Sequence, residues 1–322
     1  MKAVIPAAGV GKRLRPHTLT RPKALLPVAG RPILAHIVDD CAAAGIDGFV
    51  LVVGHHGEAV RRWFDRERPG LDITYVEQTE RLGLGHAVWT AREAIGNASF
   101  FCILGDTIVK ADHRVLLACP DNLIGVREVA DARRFGVVVK DGDRVTGFVE
   151  KAAEPPSDLA IVGVYLFRDG AALFDAMQTV IQEGRRRHGE YQLSDGLQVM
   201  LERGHRFRTE TVVDWYDCGE RETWLATNRL LLDRDGTATG HGPVRIHPTA
   251  RVVESRLGPH VSVGPDVVIE RCEIADAVIG AGSELRNCRL QASLVGEHCR
   301  LVGVAGTIDI GDHCELSLKE QP

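Results

Sequence analysis

Apolar and polar residues alternate along the first hundred residues in a way that predicts strands and helices in turn. Four short apolar runs are typical of buried strands: residues 4–5, 49–53, 73–76 and 100–104. Three segments between them have the apolar spacing of helices: residues 33–44, 58–64 and 85–95. This alternation predicts an open, mostly parallel, doubly wound α/β sheet. Strand-like runs then dominate residues 123–167, before two further helices and a strand that ends near residue 215.

The pattern changes near residue 233. Residues 233–243 have no apolar periodicity and are predicted to be a linker. Beyond them an aliphatic residue recurs at nearly every fifth or sixth position: Ile246, Val252, Leu257, Val263, Ile269, Ile274, Ile279, Leu285, Leu290, Val295, Leu301, and after a slip Ile310 and Leu316. A smaller residue precedes most of these by two positions: Ala250, Ser255, Cys272, Ala277, Ser283, Cys288, Ser293 and Cys299.

This period is too long for a strand and does not keep helical spacing. It favours a three-sided coil that turns a corner every five or six residues, with a large and a small inward position on each side. The pattern resembles the hexapeptide repeat of left-handed β-helices. We therefore predict a first domain at residues 1–232, a linker at 233–243 and a left-handed parallel β-helix at 244–318.

The residues that indicate a chemistry lie at the beginning of the chain. A short apolar run ends in a turn that carries Gly9 and Gly11, followed by Arg13 and, after an extended loop, by Lys23. A strand that runs into a glycine turn presents backbone N–H groups to phosphates, and the two cations neutralise further charge. The segment is not a Walker loop, because no Gly-Lys-Ser/Thr follows the turn. It also lacks the third glycine of a dinucleotide fingerprint, and Pro16 prevents an uninterrupted helix from starting there.

The complete run is more specific than its glycines. It consists of Ala-Ala-Gly-x-Gly-x-Arg-Leu, then Pro-x-Thr-x-x-x-Pro-Lys ending at Lys23, then Leu-Pro-x-x-Gly-x-Pro ending at Pro32. This run resembles the signature of the sugar-1-phosphate nucleotidyltransferases, also called nucleotide-sugar pyrophosphorylases. The resemblance implies a Rossmann-like catalytic domain in which Ala8, Gly9 and Gly11 bind the nucleotide and the two cations are catalytic. Long-form glucose-1-phosphate thymidylyl- and uridylyltransferases combine such a domain with a hexapeptide-repeat β-helix, in this order.

The implied reaction joins two anions. An oxygen of a sugar-1-phosphate, with glucose-1-phosphate as the expected acceptor, attacks the α-phosphorus of dTTP or UTP and releases pyrophosphate. Positioning and charge neutralisation do most of the catalysis in such a transfer, and no enzyme nucleophile is required. The sequence leaves the choice between dTTP and UTP open, because the two bases differ by one methyl group.

Two aspartates are the candidate ligands of a Mg²⁺ cofactor. Asp106 ends a Leu-Gly-Asp that follows a buried strand, and Asp217 lies in Trp-Tyr-Asp-Cys-Gly. An aspartate after a strand is otherwise more often a turn or helix-cap residue. The resemblance to the family's Leu-Gly-Asp and Trp-x-Asp-x-Gly elements implies the metal role instead. Two carboxylates with phosphate oxygens and water suit the octahedral shell of Mg²⁺.

Base recognition is assigned to Gln78 and Gly83. An amide side chain can donate to and accept from the imide edge of a pyrimidine, and a glycine lets backbone amides approach the ring. A Gln after a strand is by itself usually a solvated loop residue, so this assignment depends on the resemblance.

The sugar-phosphate side is assigned to Gly136, Glu150, Lys151 and Tyr165. The Val-Glu-Lys that ends at Lys151 resembles the family's segment in which Glu contacts sugar hydroxyls and Lys the sugar phosphate. Without the resemblance, this would be an exposed ion pair at a strand end, which contributes little. A Gly-x-Tyr ending at Tyr165 resembles the family segment that borders the sugar.

The sequence departs from the family pattern just before residues 189–195, which resemble a Gly-Glu-x-x-x-Thr/Ser-Asp element. Some thymidylyltransferases have an Arg directly before that Gly, but this chain has His188, preceded by Arg187. Either residue could contact the sugar phosphate, and the choice stays open.

Composition agrees with an enzyme of about two domains in 322 residues. A net charge of −5 and a pI near 6.2 disfavour a nucleic-acid or anionic-membrane surface. No apolar run approaches the roughly 20 residues that span a bilayer, and the start has no signal-peptide core. The eight cysteines show no Cys-x-x-Cys pairing and are interpreted as reduced thiols, four of them at small inward positions of the coil. We expect a cytoplasmic homo-oligomer whose partners are a nucleoside triphosphate and a sugar-1-phosphate.

Two alternatives stay open beside the active pyrophosphorylase. One is a bifunctional enzyme whose β-helix also transfers acyl groups to an amino sugar phosphate, and the other is a non-catalytic regulatory relative. The intact catalytic residues argue against the second. Against the first, the regular spacing from Ile246 to Leu301 contains no inserted loop, and His260, His298 and His313 fit solvated corner positions. We therefore expect the β-helix to serve assembly and stability, so that truncation near residue 235 changes these properties more than substrate choice.

Overall fold

The structure is a computed structural model and describes residues 1–187, 189–239 and 241–318. Its packing divides the chain into two compact units, and each unit combines two separate pieces of sequence. Unit 1 contains Met1–Gly9 and His36–Trp215. Unit 2 contains Val10–Ala35 and the described residues from 216 onward. The domain boundaries expected at residues 232 and 244 stay a prediction.

The elements follow the predicted alternation of strands and helices. The described helices are α1 (Ile33–Ala43), α2 (Gly57–Glu67), α3 (Leu84–Thr90), α4 (Arg92–Ile95), α5 (His113–Ala118), α6 (Gly170–Gln182), α7 (Leu193–Glu202) and α8 (Arg221–Asp235). The strands up to residue 217 are β1 (Lys2–Pro6), β2 (Pro27–Val28), β3 (Arg31–Pro32), β4 (Gly48–Val53), β5 (Ile73–Glu77), β6 (Phe100–Ile103), β7 (Thr107–Lys110), β8 (Asn122–Glu128), β9 (Gly136–Asp141), β10 (Arg144–Glu150), β11 (Leu159–Phe167), β12 (Phe207–Thr211) and β13 (Asp214–Asp217).

Unit 1 is built around a mixed sheet with the order β10-β9-β11-β6-β1-β4-β5, in which β8 also pairs with β11 and β12 with β8. Strands β6, β1, β4 and β5 are parallel, as predicted. Strand β11 is antiparallel to both β6 and β8, and β9 is antiparallel to β10. The sheet is therefore mixed: β6, β1, β4 and β5 form one parallel part, the strands of residues 123–167 pair antiparallel with one another, and β12 adds a parallel pair with β8.

The parallel strands lie in the core, which is why they are continuous apolar runs in the sequence. Val4, Val50 and Cys102 are fully buried in β1, β4 and β6. Because the three strands are parallel, their carboxyl ends lie at one edge of the sheet. There the backbone N–H of Ala7 donates to the carbonyl of Val52 at 2.7 Å. In open α/β sheets this is the edge at which ligands bind.

Unit 2 contains the predicted coil. Its strands are β14 (Thr237–Thr239), β15 (Gly242–Ile246), β16 (Arg251–Val253), β17 (Arg256–Leu257), β18 (Val261–Val263), β19 (Val268–Glu270), β20 (Glu273–Ile279), β21 (Glu284–Arg286), β22 (Arg289–Val295), β23 (Arg300–Val302), β24 (Ala305–Gly306), β25 (Asp309–Ile310) and β26 (Glu315–Ser317). Apart from the antiparallel pair β14 and β15, the pairings among these strands are parallel.

The large inward residues form three ladders, one for each side of the coil. The first ladder joins Val252, Ile269, Leu285, Leu301 and Leu316. The second joins Ile246, Val263, Ile279, Val295 and Ile310. The third joins Leu257, Ile274 and Leu290. Successive aliphatic residues of the repeat, such as Ile246, Val252 and Leu257, therefore lie on different sides of the coil, as the spacing predicted. The left-handed sense of the coil stays a prediction.

Small inward residues connect successive coils by hydrogen bonds. The backbone N–H of Cys272 donates to Ser255 Oγ at 2.9 Å, and that of Cys299 donates to Ser283 Oγ at 3.0 Å. Cys272, Cys288 and Cys299 are buried thiols, as expected.

The three histidines that the sequence placed at corners have left-handed backbone, with φ values of 61° for His260, 53° for His298 and 58° for His313. His298 and His313 are exposed, as predicted. His260 differs, because its side chain is only 23% exposed and its Nε2 atom lies 2.7 Å from Asp233 Oδ1.

The structure differs from the sequence prediction over the stretch expected to be a linker. Helix α8 continues to Asp235, and β14 pairs with β15 in an antiparallel hairpin. Residue 240 lies outside the described residues. The polar residues 233–235 form the exposed last turn of α8, so the loss of apolar periodicity indicated exposure and not the end of the helix.

Candidate functional site

The glycine-rich turn starts where β1 ends. In unit 1, a Cβ atom placed on Gly54 would lie 2.9 Å from the carbonyl oxygen of Ala8, so this approach requires a residue without a side chain. Gly9, the residue after Ala8, is exposed. The turn thus presents the backbone of Ala8 and Gly9 beyond the carboxyl end of β1, where a phosphate could reach it.

Gly11 lies in the part of the turn that belongs to unit 2, which begins at Val10. Its φ of +63° lies in the left-handed region, and its carbonyl accepts a hydrogen bond from Thr18 Oγ1 at 2.8 Å. A Cβ atom there would lie 2.8 Å from Thr18 Cγ2 and 3.2 Å from Lys23 Cβ. The left-handed backbone and the lack of space for a side chain therefore both require glycine at this position. The close contact of Gly11 with Thr18 and Lys23 keeps the loop between Arg13 and Lys23 closed.

Unit 2 brings Gly11, Arg13, Lys23 and Asp217 together. The side chain of Lys23 is 9% exposed, and its ammonium lies 3.8 Å from Asp217 Oδ1. A Cβ atom on Gly219 would lie 2.7 Å from Asp217 Oδ2 and 3.1 Å from Arg13 Nη2. Gly219 therefore allows the carboxylate and the guanidinium to lie close to the same short turn. Two cations and one carboxylate on glycine-containing loops form a surface that suits a polyphosphate with a hard cation.

Glu220 is part of this cluster, although the sequence did not single it out. Its Oε1 atom lies 2.6 Å from Arg13 Nη1. It is also the N-cap of α8, in a capping box in which Thr223 Oγ1 accepts from the backbone N–H of Glu220 at 3.1 Å. The helix start therefore fixes the carboxylate that faces Arg13.

Asp106 lies in unit 1, after β6. The backbone N–H of Gly105 donates to the carbonyl of Pro6 at 3.1 Å, and a Cβ atom on Gly105 would lie 2.9 Å from that oxygen. The Oδ1 atom of Asp106 accepts from Thr107 Oγ1 at 3.2 Å. This glycine lets the loop with Asp106 lie against the carboxyl end of β1. Asp106 and Asp217 belong to different units, and their pairing stays a prediction.

Gln78 and Gly83, both in unit 1, are brought together with a residue that the sequence did not indicate. The Nε2 atom of Gln78 donates to the carbonyl of Gly83 at 3.1 Å and lies 3.1 Å from Nδ1 of His86. Burial lowers the pKa of His86 below its ordinary value, which favours the neutral ring. A neutral Nδ1 can accept from Gln78, so the amide is oriented with its Oε1 atom available to an N–H donor.

Gly136, Glu150 and Lys151 also lie together in unit 1. A Cβ atom on Gly136 would lie 2.6 Å from Glu150 Oε2, so the carboxylate needs a glycine beside it. The same oxygen accepts from Ser194 Oγ at 2.8 Å, while Lys151 Nζ lies 3.5 Å from Glu150 Oε1. The Glu150 side chain is 13% exposed and that of Lys151 is 44% exposed. The carboxylate is thus held in place, whereas the ammonium can turn towards a ligand.

Tyr165 is placed differently from an open binding residue. It is 5% exposed, belongs to the hydrophobic core, and its ring stacks on Phe167 with centroids 5.9 Å apart. Burial, with smaller effects of Cys102 and Glu150, raises the pKa of its hydroxyl well above the ordinary value. A sugar contact by Tyr165 stays a prediction.

The phosphate contact expected near residue 188 stays open between His188 and Arg187. His188 lies outside the described residues. Arg187 Nε lies 3.0 Å from Asp195 Oδ1, and Asp195 Oδ2 is buried without a hydrogen-bond partner. Arg187 is 52% exposed in its side chain and is held on the carboxylate at the start of α7.

Two negative findings concern the described part of the chain. It contains no group of three or more His, Cys, Asp or Glu side chains in an arrangement that could hold a metal ion. None of its helices has the length and apolar character that a membrane crossing requires.

Three residues of these clusters could not be recognised from the sequence: His86, Ser194 and Glu220. Each is a common residue type beside a motif, and its partner lies 8 to 207 positions away in the sequence. The only available signal was position, because Ser194 lies in the segment 189–195 and Glu220 follows the Trp-x-Asp-x-Gly element directly.

Comparison with known proteins gives matches along the whole chain. Residues 2–234 match the family model described as nucleotidyl transferase. A glucose-1-phosphate thymidylyltransferase of Streptomyces griseus is 32% identical over 358 residues, which cover 99% of this chain and 99% of the relative. A UTP–glucose-1-phosphate uridylyltransferase of Staphylococcus epidermidis is 35% identical over 264 residues, which cover 70% of this chain and 90% of the relative. A solved structure from Bacillus anthracis, assigned as a glucose-1-phosphate thymidylyltransferase, has a TM-score of 0.65 and 28% identity, covering 74% of this chain and 96% of its own.

Proposed function

The chain belongs to the nucleotidyl transferase family, and we propose that it is an enzyme that synthesises nucleoside-diphosphate sugars. It transfers a nucleoside monophosphate from dTTP or UTP to a sugar-1-phosphate, with glucose-1-phosphate as the expected acceptor, and releases pyrophosphate. The observation that carries the proposal is the cluster of Arg13, Lys23 and Asp217 beside the Gly11 turn in unit 2. The chain is expected to act in the cytoplasm as a homo-oligomer.

The two cations serve the triphosphate. The exposed guanidinium of Arg13 can form paired hydrogen bonds with phosphate oxygens. The buried stem of Lys23 fixes its ammonium as a point charge, which suits the pyrophosphate leaving group. Charge neutralisation of this kind supplies much of the catalysis when an anion attacks a phosphorus that already carries negative charge.

Asp106 and Asp217 are the proposed ligands of Mg²⁺. Their donor chemistry fits, because Mg²⁺ takes one or two carboxylates and completes its shell with phosphate oxygens and water. Lys23, 3.8 Å from Asp217, supplies a second positive charge beside this carboxylate. When bound, the ion would supply positive charge to the phosphate oxygens on which negative charge develops.

The acceptor is assigned to the cluster around Glu150. Its carboxylate, fixed by Ser194 and close to Gly136, can accept hydrogen bonds from sugar hydroxyls. Lys151 neutralises the sugar phosphate that must approach the triphosphate, and Tyr165 is proposed to border the sugar. The two anions are thereby assigned separate cations, which reduces their mutual repulsion.

Gln78 and Gly83 are assigned to the base. Since Nε2 of Gln78 is engaged by Gly83 and His86, the Oε1 atom can accept the ring N–H that thymine and uracil share. This contact selects a pyrimidine imide over cytosine, whose corresponding ring nitrogen carries no hydrogen. It does not distinguish dTTP from UTP.

The decisive experiment measures pyrophosphate release over a grid of nucleoside triphosphates and sugar-1-phosphates. We expect activity with dTTP or UTP and glucose-1-phosphate in the presence of Mg²⁺, and its loss in the double variant Arg13→Ala/Lys23→Ala. Absence of release with every pair would contradict the proposal. An added arm with acetyl-coenzyme A and an amino sugar phosphate tests the bifunctional alternative, for which we expect no acyl transfer.

A further inference from the structure

Residues 16–21, which we call the anchor segment, connect Arg13 to Lys23. Within unit 2 they lie against one end of the coil, at residues 297–312. The coil was expected to serve assembly and stability only. The contacts of the anchor segment indicate a second role, because they hold the loop that carries both cations.

Three carboxylates of the coil hold the anchor segment. The Nε2 atom of His17 lies 2.6 Å from Asp309 Oδ1, and its side chain is 4% exposed. Arg21 donates from Nη1 to Glu297 Oε1 and from Nη2 to Asp312 Oδ2, the latter at 3.1 Å. Arg21 thus bridges two successive coils, and its side chain is 18% exposed.

Asp312 is itself fixed in the coil. Its Oδ1 atom accepts from the backbone N–H of Glu297 at 2.7 Å, and Oδ2 accepts from Thr20 Oγ1. Burial alone would raise the pKa of Asp312, but the hydrogen bonds from Thr20 and Glu297 and the charge of Arg21 lower it overall. The carboxylate is therefore ionised and rigid, which makes it a suitable anchor for a cation.

Close packing of Pro16 on the coil adds to the polar contacts of the anchor segment. A Cβ atom on Gly311 would lie 2.9 Å from Pro16 Cβ and 3.2 Å from Pro16 Cγ. The anchor segment therefore lies against the coil backbone with no room for a methyl group. The Sγ of Cys299 donates to the carbonyl of Gly311 at 3.1 Å, so the coil side of this contact cannot easily move away.

The burial of these charges decides whether the contacts matter. Exposed ion pairs contribute little to stability, but a buried pair that loses one partner leaves an uncompensated charge. The side chains of Arg21 and Asp312 are only 18% and 5% exposed. A displaced Arg21 would also move Lys23, because only Pro22, with φ near −69°, separates them.

We propose that the end of the coil positions the triphosphate-binding loop, with Glu297, Asp309 and Asp312 holding the anchor segment and Arg21 acting as a positioning residue for Lys23. This inference rests on the proposed function, since it assigns the loop's cations to the nucleotide. It makes the coil a working part of the nucleotide site and not only an assembly module.

The test compares the kinetics of Arg21→Ala and Asp312→Asn with those of the wild type. We expect each variant to raise the KM for the nucleotide or lower kcat by about tenfold to a hundredfold, because small displacements of a positioned group have effects of this size. The KM for the sugar-1-phosphate should stay unchanged, since its cation lies elsewhere. Arg21→Lys should recover part of the loss. The double variant should be little worse than either single one, because the two residues act through one contact.

Arg300→Ala is the matched control, because Arg300 also joins two successive turns of the coil. It pairs with Glu315 at 3.0 Å, but on an exposed side. It should leave both KM values and kcat unchanged. If Arg21→Ala does not fold, Gly311→Ala provides a second test, since its methyl group pushes on Pro16 without removing a charge. We expect it to raise the nucleotide KM in a protein that still folds, with a melting temperature lowered by the crowded methyl group.

Wild-type nucleotide kinetics in folded Arg21→Ala and Gly311→Ala would overturn the inference, and so would equal losses for both substrates. Failure of the proposed function has a different signature, namely no pyrophosphate release by the wild type with any substrate pair. In that case the rise in melting temperature on adding dTTP or UTP, compared between wild type and Arg21→Ala, still tests the positioning role.

Discussion

Glu220 Oε1 lies 2.6 Å from Arg13 Nη1, while the same residue caps helix α8. One carboxylate therefore joins the start of a helix to the guanidinium that we assign to the triphosphate. The Arg13 side chain is 59% exposed, so the ion pair itself contributes little stability. A triphosphate that binds Arg13 must displace this carboxylate or bind beside it.

We predict that Glu220→Gln lowers the KM for the nucleotide several-fold. The amide oxygen can keep the helix cap, whereas the negative charge that repels the triphosphate is lost. Two charges about 4 Å apart near a protein surface interact by roughly 1–4 kcal/mol. This repulsion exceeds the benefit that Arg13 gains from being oriented by an exposed ion pair. Steady-state kinetics with the nucleotide varied provide the measurement. Glu315→Gln, at another exposed ion pair, is the control, and a raised KM in Glu220→Gln would show that orientation dominates.

Asp106→Asn and Asp217→Asn should each reduce kcat by about a hundredfold or more at saturating Mg²⁺, because each removes a charged metal ligand. The folds should be unaffected, which melting temperatures can check. In Asp217→Asn the Lys23 ammonium also loses its carboxylate at 3.8 Å. Asp143→Asn, in an exposed turn, is the matched control and should behave like the wild type. Near-normal turnover of either site variant would remove the metal assignment.

Lys151→Ala should mainly raise the KM for the sugar-1-phosphate, by about tenfold or more, since a charge-assisted contact is lost. Lys23→Ala should instead reduce kcat, because its ammonium is assigned to the departing pyrophosphate. Each of the two variants serves as the control for the other, provided that both KM values and kcat are measured for each. An unchanged sugar-phosphate KM in Lys151→Ala would mean that the acceptor binds elsewhere.

Nucleotide binding should weaken as the pH falls below the ordinary histidine pKa near 6.5. Burial lowers the pKa of His86, so the neutral ring persists somewhat below that value. Once protonated, Nδ1 becomes a donor and no longer accepts from Gln78. The stability from burying the neutral ring is complete above the unfolded pKa and is lost as the pH falls through the folded one.

The measurement is the nucleotide KM between pH 7.5 and 5.0 for wild type and His86→Gln. The amide of Gln can accept from Gln78 but does not titrate, so the variant reports the pH dependence of the substrate phosphates alone. Identical pH profiles of the two proteins would exclude His86 as the cause.

The coil was predictable because its geometry depends on the spacing of residues that are close in sequence. Each corner recurs after five or six positions, so the three ladders follow from spacing alone. The parallel half of the sheet in unit 1 was predictable for a similar reason, since strands buried on both sides are continuous apolar runs. Residues 233–235 were misassigned because an exposed last helical turn and a linker have the same polar composition.

The candidate site could be predicted only where a motif names its residues. The cations, the aspartates and the Glu150 segment were all singled out in this way, and their roles stay predictions. The partners that hold them were not, because His86, Ser194 and Glu220 act through contacts that leave no periodic signal. The packing of residues 16–21 on the coil is of the same kind, since it joins segments that are separated by more than 270 residues.

That separation has a consequence for the order in which the protein is made. Arg21 leaves the ribosome 276 residues before Glu297, and His17 leaves 292 residues before Asp309. At synthesis rates of about 5–20 residues per second, the loop with both cations waits roughly 15–60 seconds for its anchors. A nascent chain can therefore complete most of unit 1 while its triphosphate loop is still unanchored. Enzymatic competence should accordingly appear late in translation, after the last coils have emerged.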